Sequence, residues 1–437
     1  MRDVAKRYSM KDSNPIGAPI REVLTNRLFR RLWIGQITSQ LSSNMLIFLL
    51  AILLYRRTGS NAAVSGLFLS YGLPSLLFGA VGGVIVDRLD RRAVLLVSDI
   101  TRALLIIPVF MLAHHIAAIY LLIFFYAIIM QMTIPSEVPL IPQFVPKTHI
   151  VSANSLFSFT FYSSMAIGFI TAGPALRFFG GNGAHILLFL LYLVAAVSVY
   201  GLPPQGEGVR SLKRIFQYNL SYVLKRLYTD LEEGLRYVAH SHVLRDAVIL
   251  LTGTQITLVL LGTLGPGFAD KVLRIDVRDA SLMIVGPAIL GILFGAMWIG
   301  QRGYRVPASR LINIGVLSAG TILMVLSALF VATDAFWFTK VPRAATLSVA
   351  LALFFLLGVA NSFLDVPSNS ILQKEAEGEV RGRVYGILSA SIGGAGILPV
   401  VASGVLADII GVGKVIFLLG AGIFIYGVYR FRYHRYI

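Results

Sequence analysis

Gly83-Val84-Ile85-Val86-Asp87-Arg88-Leu89-Asp90-Arg91-Arg92 stands between two long apolar runs. A glycine, an acid four residues later and then a basic cluster mark a short, tight loop at a membrane face. The flanking runs, 62–86 and 93–113, are each long enough to cross a bilayer, which takes about 20 residues. Working outward, such runs recur at 31–55, 117–143, 151–178, 183–202, 244–269, 280–300, 309–332, 346–373, 383–408 and 413–431. Backbone polar groups in lipid must be satisfied within their own segment, so the runs are read as helices. The expected fold is an all-α membrane protein with twelve transmembrane helices. Composition agrees: 56% of the 437 residues are hydrophobic and 14% charged, against about 25% charged in soluble domains.

The net charge of +17 invites a nucleic-acid reading, but its placement argues otherwise. Of the 38 Lys and Arg, 28 fall on the side of the membrane that holds both ends of the chain. By the positive-inside rule the termini and the long central loop are expected in the cytoplasm. The charge then reports topology and attraction to anionic membrane lipids, and no nucleic-acid partner is called for. The chain has no cysteine, which excludes disulfides, thiol catalysis and Cys-ligated metal. Residues 1–30 lack the apolar core of a signal peptide, so the first run is expected to remain in a bacterial inner (plasma) membrane.

The runs divide six and six. The expected organisation is a cytoplasmic segment 1–30, a bundle 31–202, a cytoplasmic linker 203–243, a second bundle 244–431 and a cytoplasmic tail 432–437. Within the linker Leu212, Ile215, Phe216, Leu220, Val223, Leu224, Leu227, Leu231, Leu235 and Val238 follow helical spacing among Lys213, Arg214, Lys225 and Arg226. That pattern predicts an amphipathic helix on the membrane surface. Ile134-Pro135-Ser136…Leu140 matches Val366-Pro367-Ser368…Leu372, as two parallel, pseudo-symmetric repeats would.

The Gly83–Arg92 stretch resembles the loop between the second and third helices of major facilitator superfamily transporters. Asn26–Gln36, Ser98-Asp99-Ile100-Thr101-Arg102, Asp230–Tyr237 and Gln373…Arg381-Gly382-Arg383-Val384-Tyr385-Gly386 are similar to its macrolide-efflux and enterobactin-exporter-like branch. Gly168…Gly173-Pro174 resembles the glycine-proline motif of drug antiporters. The resemblance implies that Gly83, Asp87, Arg88, Arg91 and Arg92 gate the transporter. They would tie the first half to the eleventh helix near Arg381 and Arg383 in the outward-facing state. The chain departs from the branch at Ser42-Ser43, where an acid is usual, and lacks the membrane arginine common in the fourth helix of drug–proton antiporters.

Three acids lie inside the predicted helices: Asp99, Glu137 and Asp365. An intramembrane charge costs roughly 2.5–3.5 kcal/mol on insertion scales, so each is a functional candidate. Asp99 and Arg102 share a face three residues apart and are expected to pair, bracing the Asp87–Arg92 loop or joining the gate. Asn361, Asp365 and Asn369 form a stripe at four-residue spacing, as do Gln36, Gln40 and Asn44. With Gln131 and Gln255, these are expected either to line a central cavity or to hydrogen-bond between helices. Glu137, among Pro135, Pro139 and Pro142, and Asp365 are the candidates for proton coupling. The repeat places Glu137 opposite Asn369. Phe157, Phe159, Phe161 and Tyr162 are expected to pack or face lipid, or else to offer an aromatic wall.

No cofactor is expected. The histidines lack metal-ligand spacing, no phosphate-binding loop indicates ATP drive, and no nucleophile and base share one membrane depth, so no enzyme is expected. The leading expectation is a monomeric secondary transporter that exports a small or amphiphilic molecule by alternating access, with protons as partner. Two alternatives stand beside it: a carrier of lysophospholipid or another lipid, and a receptor or scaffold of the same fold that does not transport.

Overall fold

The computed structural model describes residues 18–86, 89–112, 114–146, 149–204, 229, 232–233, 235–333, 343–376 and 380–433. Among them lie twelve helical segments long and apolar enough to cross a membrane, and no strand. A short α1 (Ala18–Thr25) leads into α2 (Arg27–Thr58), α3 (Asn61–Val86), α4 (Arg91–Met111) and α5 (Ile116–Met130). The fourth span is completed by α6 (Thr133–Glu137), a 3-10 turn (Val138–Leu140) and α7 (Ile141–Phe144). α8 (Ile150–Tyr200) carries the fifth and sixth spans. The second half comprises α9 (His242–Lys271), α10 (Gly286–Arg302), α11 (Ala308–Thr333), α12 (Arg343–Glu375), α13 (Val380–Ile410) and α14 (Val412–Tyr433). A π-helical turn, Ser281–Val285, runs into α10.

Local chemistry sets these boundaries. The Asn26 side chain caps α2 by accepting from the amides of Leu28 and Phe29, and Gly59 ends the helix at φ 63°. Asp90 caps α4, accepting from Arg92 N at 2.9 Å, so the second acid of the Gly83–Arg92 stretch starts the third span. One expectation is corrected. The fourth span is not one helix over 117–143: after α5 its second half breaks into short helical pieces, because Pro135, Pro139 and Pro142 lack the amide a continuous helix needs. The fifth and sixth helices, Ser152–Gly181 and Gly183–Tyr200 as spans, are separated at Gly180, whose φ of 66° breaks the helical backbone and turns the chain. Most of the 203–243 linker, its amphipathic pattern included, lies outside the described residues.

The fold is two pseudo-symmetric six-helix halves, each with its own apolar core. Leu46, Leu49, Ile52, Ile106, Ile123 and Leu188 centre the first. Leu264, Phe268, Leu323, Leu326, Phe354 and Ile416 centre the second. Small residues let helices approach closely: a Cβ on Gly291 of α10 would fall 1.9 Å from the Phe355 carbonyl oxygen, and one on Gly358 of α12 1.9 Å from that of Ala288. Outward faces stay apolar, as at Phe178 and Leu398, which are 80% and 79% exposed.

The halves meet at the face opposite α1 and the end of α14, here called the distal face. There α3 and α13 run antiparallel: Asn61 opposes Asp408, Ser65 Oγ donates to Val400 O at 3.0 Å, and Gly393 faces Ser75. Tyr55 Oη donates to Asp270 at 3.1 Å, Gly173 N to Ser281 Oγ at 3.1 Å, and Arg177 pairs with Asp279 at 3.0 Å. Just beyond, the Arg278 side chain hydrogen-bonds Asp276 at 2.7 Å and holds its carboxyl down at about 2.

Candidate functional site

The first half encloses a charged, hydrogen-bonded cluster built from four spans. α4 supplies Asp99 and Arg102, α2 Ser39 and Ser43, α5 Tyr126 and α8 Tyr192. Arg102, 1% exposed, donates to Asp99 at 2.6 Å, to Ser39 Oγ at 3.0 Å and to the Ser98 carbonyl at 3.3 Å. Ser39 Oγ also donates to Asp99 at 3.1 Å. The guanidinium lies 4.9 Å from the centre of the Tyr192 ring, a cation–π contact. Ser43 Oγ lies 2.7 Å from Tyr192 Oη and accepts from Tyr126 Oη at 3.0 Å, and the two tyrosine hydroxyls also bond each other. A buried ion pair persists only when its remaining polar atoms are satisfied, and these partners satisfy them.

Glu137 sits at the end of α6, 5% exposed, with Asp99 and Arg102 as the charges that act on it. It makes no hydrogen bond or ion pair among the described residues. The proline-broken fourth span thus delivers a carboxyl to a buried position where the cation that acts on it, Arg102, is already bound to another acid. The Asp99–Arg102 pairing follows its spacing, while Asp87 and Arg88 of the loop it was expected to brace lie outside the described residues. The pair's partners are Ser39 and Tyr192 in the bundle interior.

The second half has its own buried ion pair, which reading the sequence as helices and loops assigned to helix edges. Arg430 of α14, 1% exposed, bonds Asp246 of α9 and donates Nε to Asn313 of α11 at 3.0 Å, with Tyr426 of α14 beside it. Arg430 therefore belongs to the packing of the bundle and not to the surface charge that reports topology.

The polar stripes divide. Gln36 is packed between α2 and α8, donating to the Phe157 carbonyl at 3.1 Å and accepting from Thr160 at 3.0 Å. Gln40 is buried, and its carbonyl accepts from half-buried Asn44 at 2.8 Å. On α12, Asn369 donates to Asp365 Oδ2 at 3.1 Å, so this stripe is a bonded pair with Asn361 further along the helix. Asn369 is thus partnered within its own helix, and Glu137 has its charged neighbours within its own half. Gln131 closes α5 and bonds the Ala127 carbonyl at 3.1 Å, while Gln255 is half-buried on α9. Phe157 packs on Phe29 while Phe159 is exposed, so the aromatic run is not one wall.

Asn361 also reaches a cavity of about 490 Å³ inside the second half, walled by α9, α10, α11, α12 and α14 and almost wholly apolar.

The gating set is only partly in view. Gly83 lies in the last turns of α3, and Asp87 and Arg88 fall outside the described residues. Arg91 opens α4, and Arg92 bonds the Tyr200 carbonyl at 2.6 Å with its guanidinium 5.3 Å from the Tyr200 ring. Arg381 and Arg383 stand in the first turn of α13. The inter-half contact that the sequence did not reveal is Asp408, at the distal end of α13. Its carboxylate accepts from Asn61 N at 2.7 Å, Asn61 Nδ2 at 3.0 Å, Ala62 N at 3.1 Å and Ser60 Oγ at 2.5 Å. An acid of one half thereby caps the first turn of a helix in the other.

The pattern of the family described as Major Facilitator Superfamily matches residues 32–341. Macrolide efflux protein A of Streptococcus pyogenes is 24% identical over 90% of this chain and 92% of its own length. Multidrug efflux pump Tap of Mycolicibacterium fortuitum is 23% identical over 86% and 88%. Among solved structures, a bacterial homolog of the human lysosomal transporter Spinster, inward-facing and unoccupied, shares the fold at a TM-score of 0.65 and 14% identity, covering 98% of this chain and all of that one.

Proposed function

The chain belongs to the Major Facilitator Superfamily, and on that premise we propose that it exports a small amphiphilic molecule from a bacterial cytoplasm in exchange for protons. It is an integral, multi-pass membrane transporter with efflux pumps among its relatives. Export rests on those relatives, and orientation on the basic charge gathered at the terminal side. With that side cytoplasmic, the sealed distal face corresponds to the inward-facing stage of alternating access.

Proton coupling rests on one observation above the rest: among the described residues Glu137 is a buried carboxyl with no hydrogen bond or ion pair, whereas the buried Arg102 and Arg430 are each paired. Arg102 is committed to Asp99, which leaves Glu137 as the group free to exchange a proton as the halves move. Asp365, half-buried and bonded to Asn369, is the second candidate. The test is substrate-dependent proton release from purified protein across a panel of macrolides, other drugs, siderophores and lysolipids. Wild type is expected to release protons with at least one of these, and Glu137→Gln to bind the same compound without release. Undiminished release from the double variant Glu137→Gln/Asp365→Asn would end this reading of the coupling.

A carrier of lysophospholipid or another lipid is the second reading, favoured by the apolar cavity. Response to lysolipids alone would select it.

A further inference from the structure

We propose that the cavity inside the second half is a binding site for a single alkyl chain. Its walls are Ile249 to Leu261 of α9, Leu357 to Leu364 of α12 and Leu418 to Tyr426 of α14, closed by residues of α10 and α11. At 1.5 Å per residue the α9 wall alone runs about 18 Å along the helix, so the space is elongated in the direction of a lipid chain. Polar side chains are few. Thr254 and Thr257 turn their hydroxyls back onto the Leu250 and Gly253 carbonyls, which leaves Asn361 and Tyr426 as the groups able to meet a polar atom of a ligand.

The opening has a cause in the sequence. In the first half, the first, third, fourth and sixth spans enclose Arg102, Tyr126 and Tyr192, which fill the centre of the bundle. The equivalent seventh, ninth and twelfth spans contribute Gly253, Ala319 and Gly422. A Cβ built on Gly253 or Gly422 would meet nothing within 4 Å, so these positions border open space. Interiors are packed close to crystal density, and apolar space of this size does not attract water. In a bilayer the material at hand to fill it is hydrocarbon. Ile249 and Leu418, 49% and 58% exposed, form its rims. The end nearer the termini lies one helical turn from the Asp246–Arg430–Asn313 cluster, since Leu250, Tyr426 and Val316 follow or precede those residues by four, four and three positions. The site thus has the form an amphiphile requires, a long apolar shaft with polarity at one end. The assignment does not depend on what the molecule exports.

The test uses the full chain in nanodiscs, with a palmitic acid carrying a mid-chain diazirine in one arm and a diacyl phospholipid carrying the same chain in the other. After irradiation, labelled peptides are mapped. Labelling is expected on residues 249–261 and 418–426, to be displaced by excess unlabelled palmitate or phospholipid. In Gly422→Leu it should fall about tenfold, equivalent to ~1.4 kcal/mol of lost binding, with the melting temperature retained. Labelling in the fatty-acid arm alone identifies a single-chain ligand, and labelling in the phospholipid arm a bilayer lipid. Labels spread evenly over outward faces such as Phe178 and Met111, without competition and unchanged by Gly422→Leu, would overturn the proposal. Should that variant fail to fold, displacement in the wild-type protein decides alone.

Discussion

Arg102 shows how much of this site hangs on single side chains. Removing one partner of a buried ion pair leaves an uncompensated charge, at a cost of about 3–5 kcal/mol, whereas removing both is often tolerated. Arg102→Leu is therefore expected to lower the thermal stability of the purified protein sharply, and Asp99→Asn/Arg102→Leu to recover much of the loss. Equal destabilisation by the single and double variants would show that the pair is not a unit. Asp276 gives a complementary expectation. Hydrogen bonds from Arg278 hold its carboxyl near 2, below its unfolded value of about 3.9. Its contribution is complete above about pH 5 and fades only as pH falls toward 2. Neutralising it with Asp276→Asn should therefore leave the change in melting temperature between pH 5 and 8 as it is in wild type. At this scale the sequence was legible where partners are near neighbours, as with Asp99 and Arg102. It was silent where they are distant: Arg430 and Asp246 are 184 residues apart, and each looked like a charge at a helix end. Tyr126 and Tyr192 carried no signal, because their hydroxyls acquire partners only when three spans converge.

Between elements, the pair α3 and α13 explains how a conformational equilibrium can be set by two acids. The helices are antiparallel, so each one's last turn lies beside the other's first. Asp408, near the end of α13, caps the start of α3 at the distal face. Resemblance to the family assigns Asp87, just past the end of α3, the reciprocal place at the start of α13 when the halves rock the other way. Loss of a carboxylate cap costs about 0.5–2 kcal/mol, and 1–2 kcal/mol is a factor of about 5–30 in a two-state ratio. Asp408→Ala is expected to shift the population toward distal opening by about that factor. Because the chain has no cysteine, spin labels on Phe178→Cys and Ile409→Cys, both on exposed distal positions of opposite halves, can report it without background. An unchanged distance distribution would remove Asp408 from the gate. Asp408 could not be found by inspection, since the amide it caps is 347 residues away and its own neighbourhood reads as an ordinary helix end. The spans themselves were legible because apolar runs of about 20 residues in lipid satisfy their backbone as helices; the three prolines broke one of them without changing the order.

For the molecule as a whole, the distal seal depends on places where one half has no side chain. Gly173 of α8, in the stretch that resembles the glycine-proline motif of drug antiporters, meets the turn before α10 so closely that a Cβ would stand 1.9 Å from the Arg278 carbonyl and 2.2 Å from Ser281 Oγ. Gly404 is pressed in the same way against Ser65 and Asn61. These glycines are needed only while the distal face is closed, so a methyl group there burdens one state and spares the other. Overpacking costs about 1–3 kcal/mol, enough to move a balanced equilibrium most of the way to the outward-open side. Gly173→Ala is accordingly expected to lengthen the Phe178–Ile409 label distance and to slow transport of whichever substrate the proton-release panel identifies. Gly181→Ala, on the same helix but with open space around its Cβ, should do neither. If both substitutions behave alike, the close approach of the halves at Gly173 does not govern the exchange between states. If only Gly173→Ala opens the distal face, the motif marks the contact at which the two halves must touch in order to part on the other side.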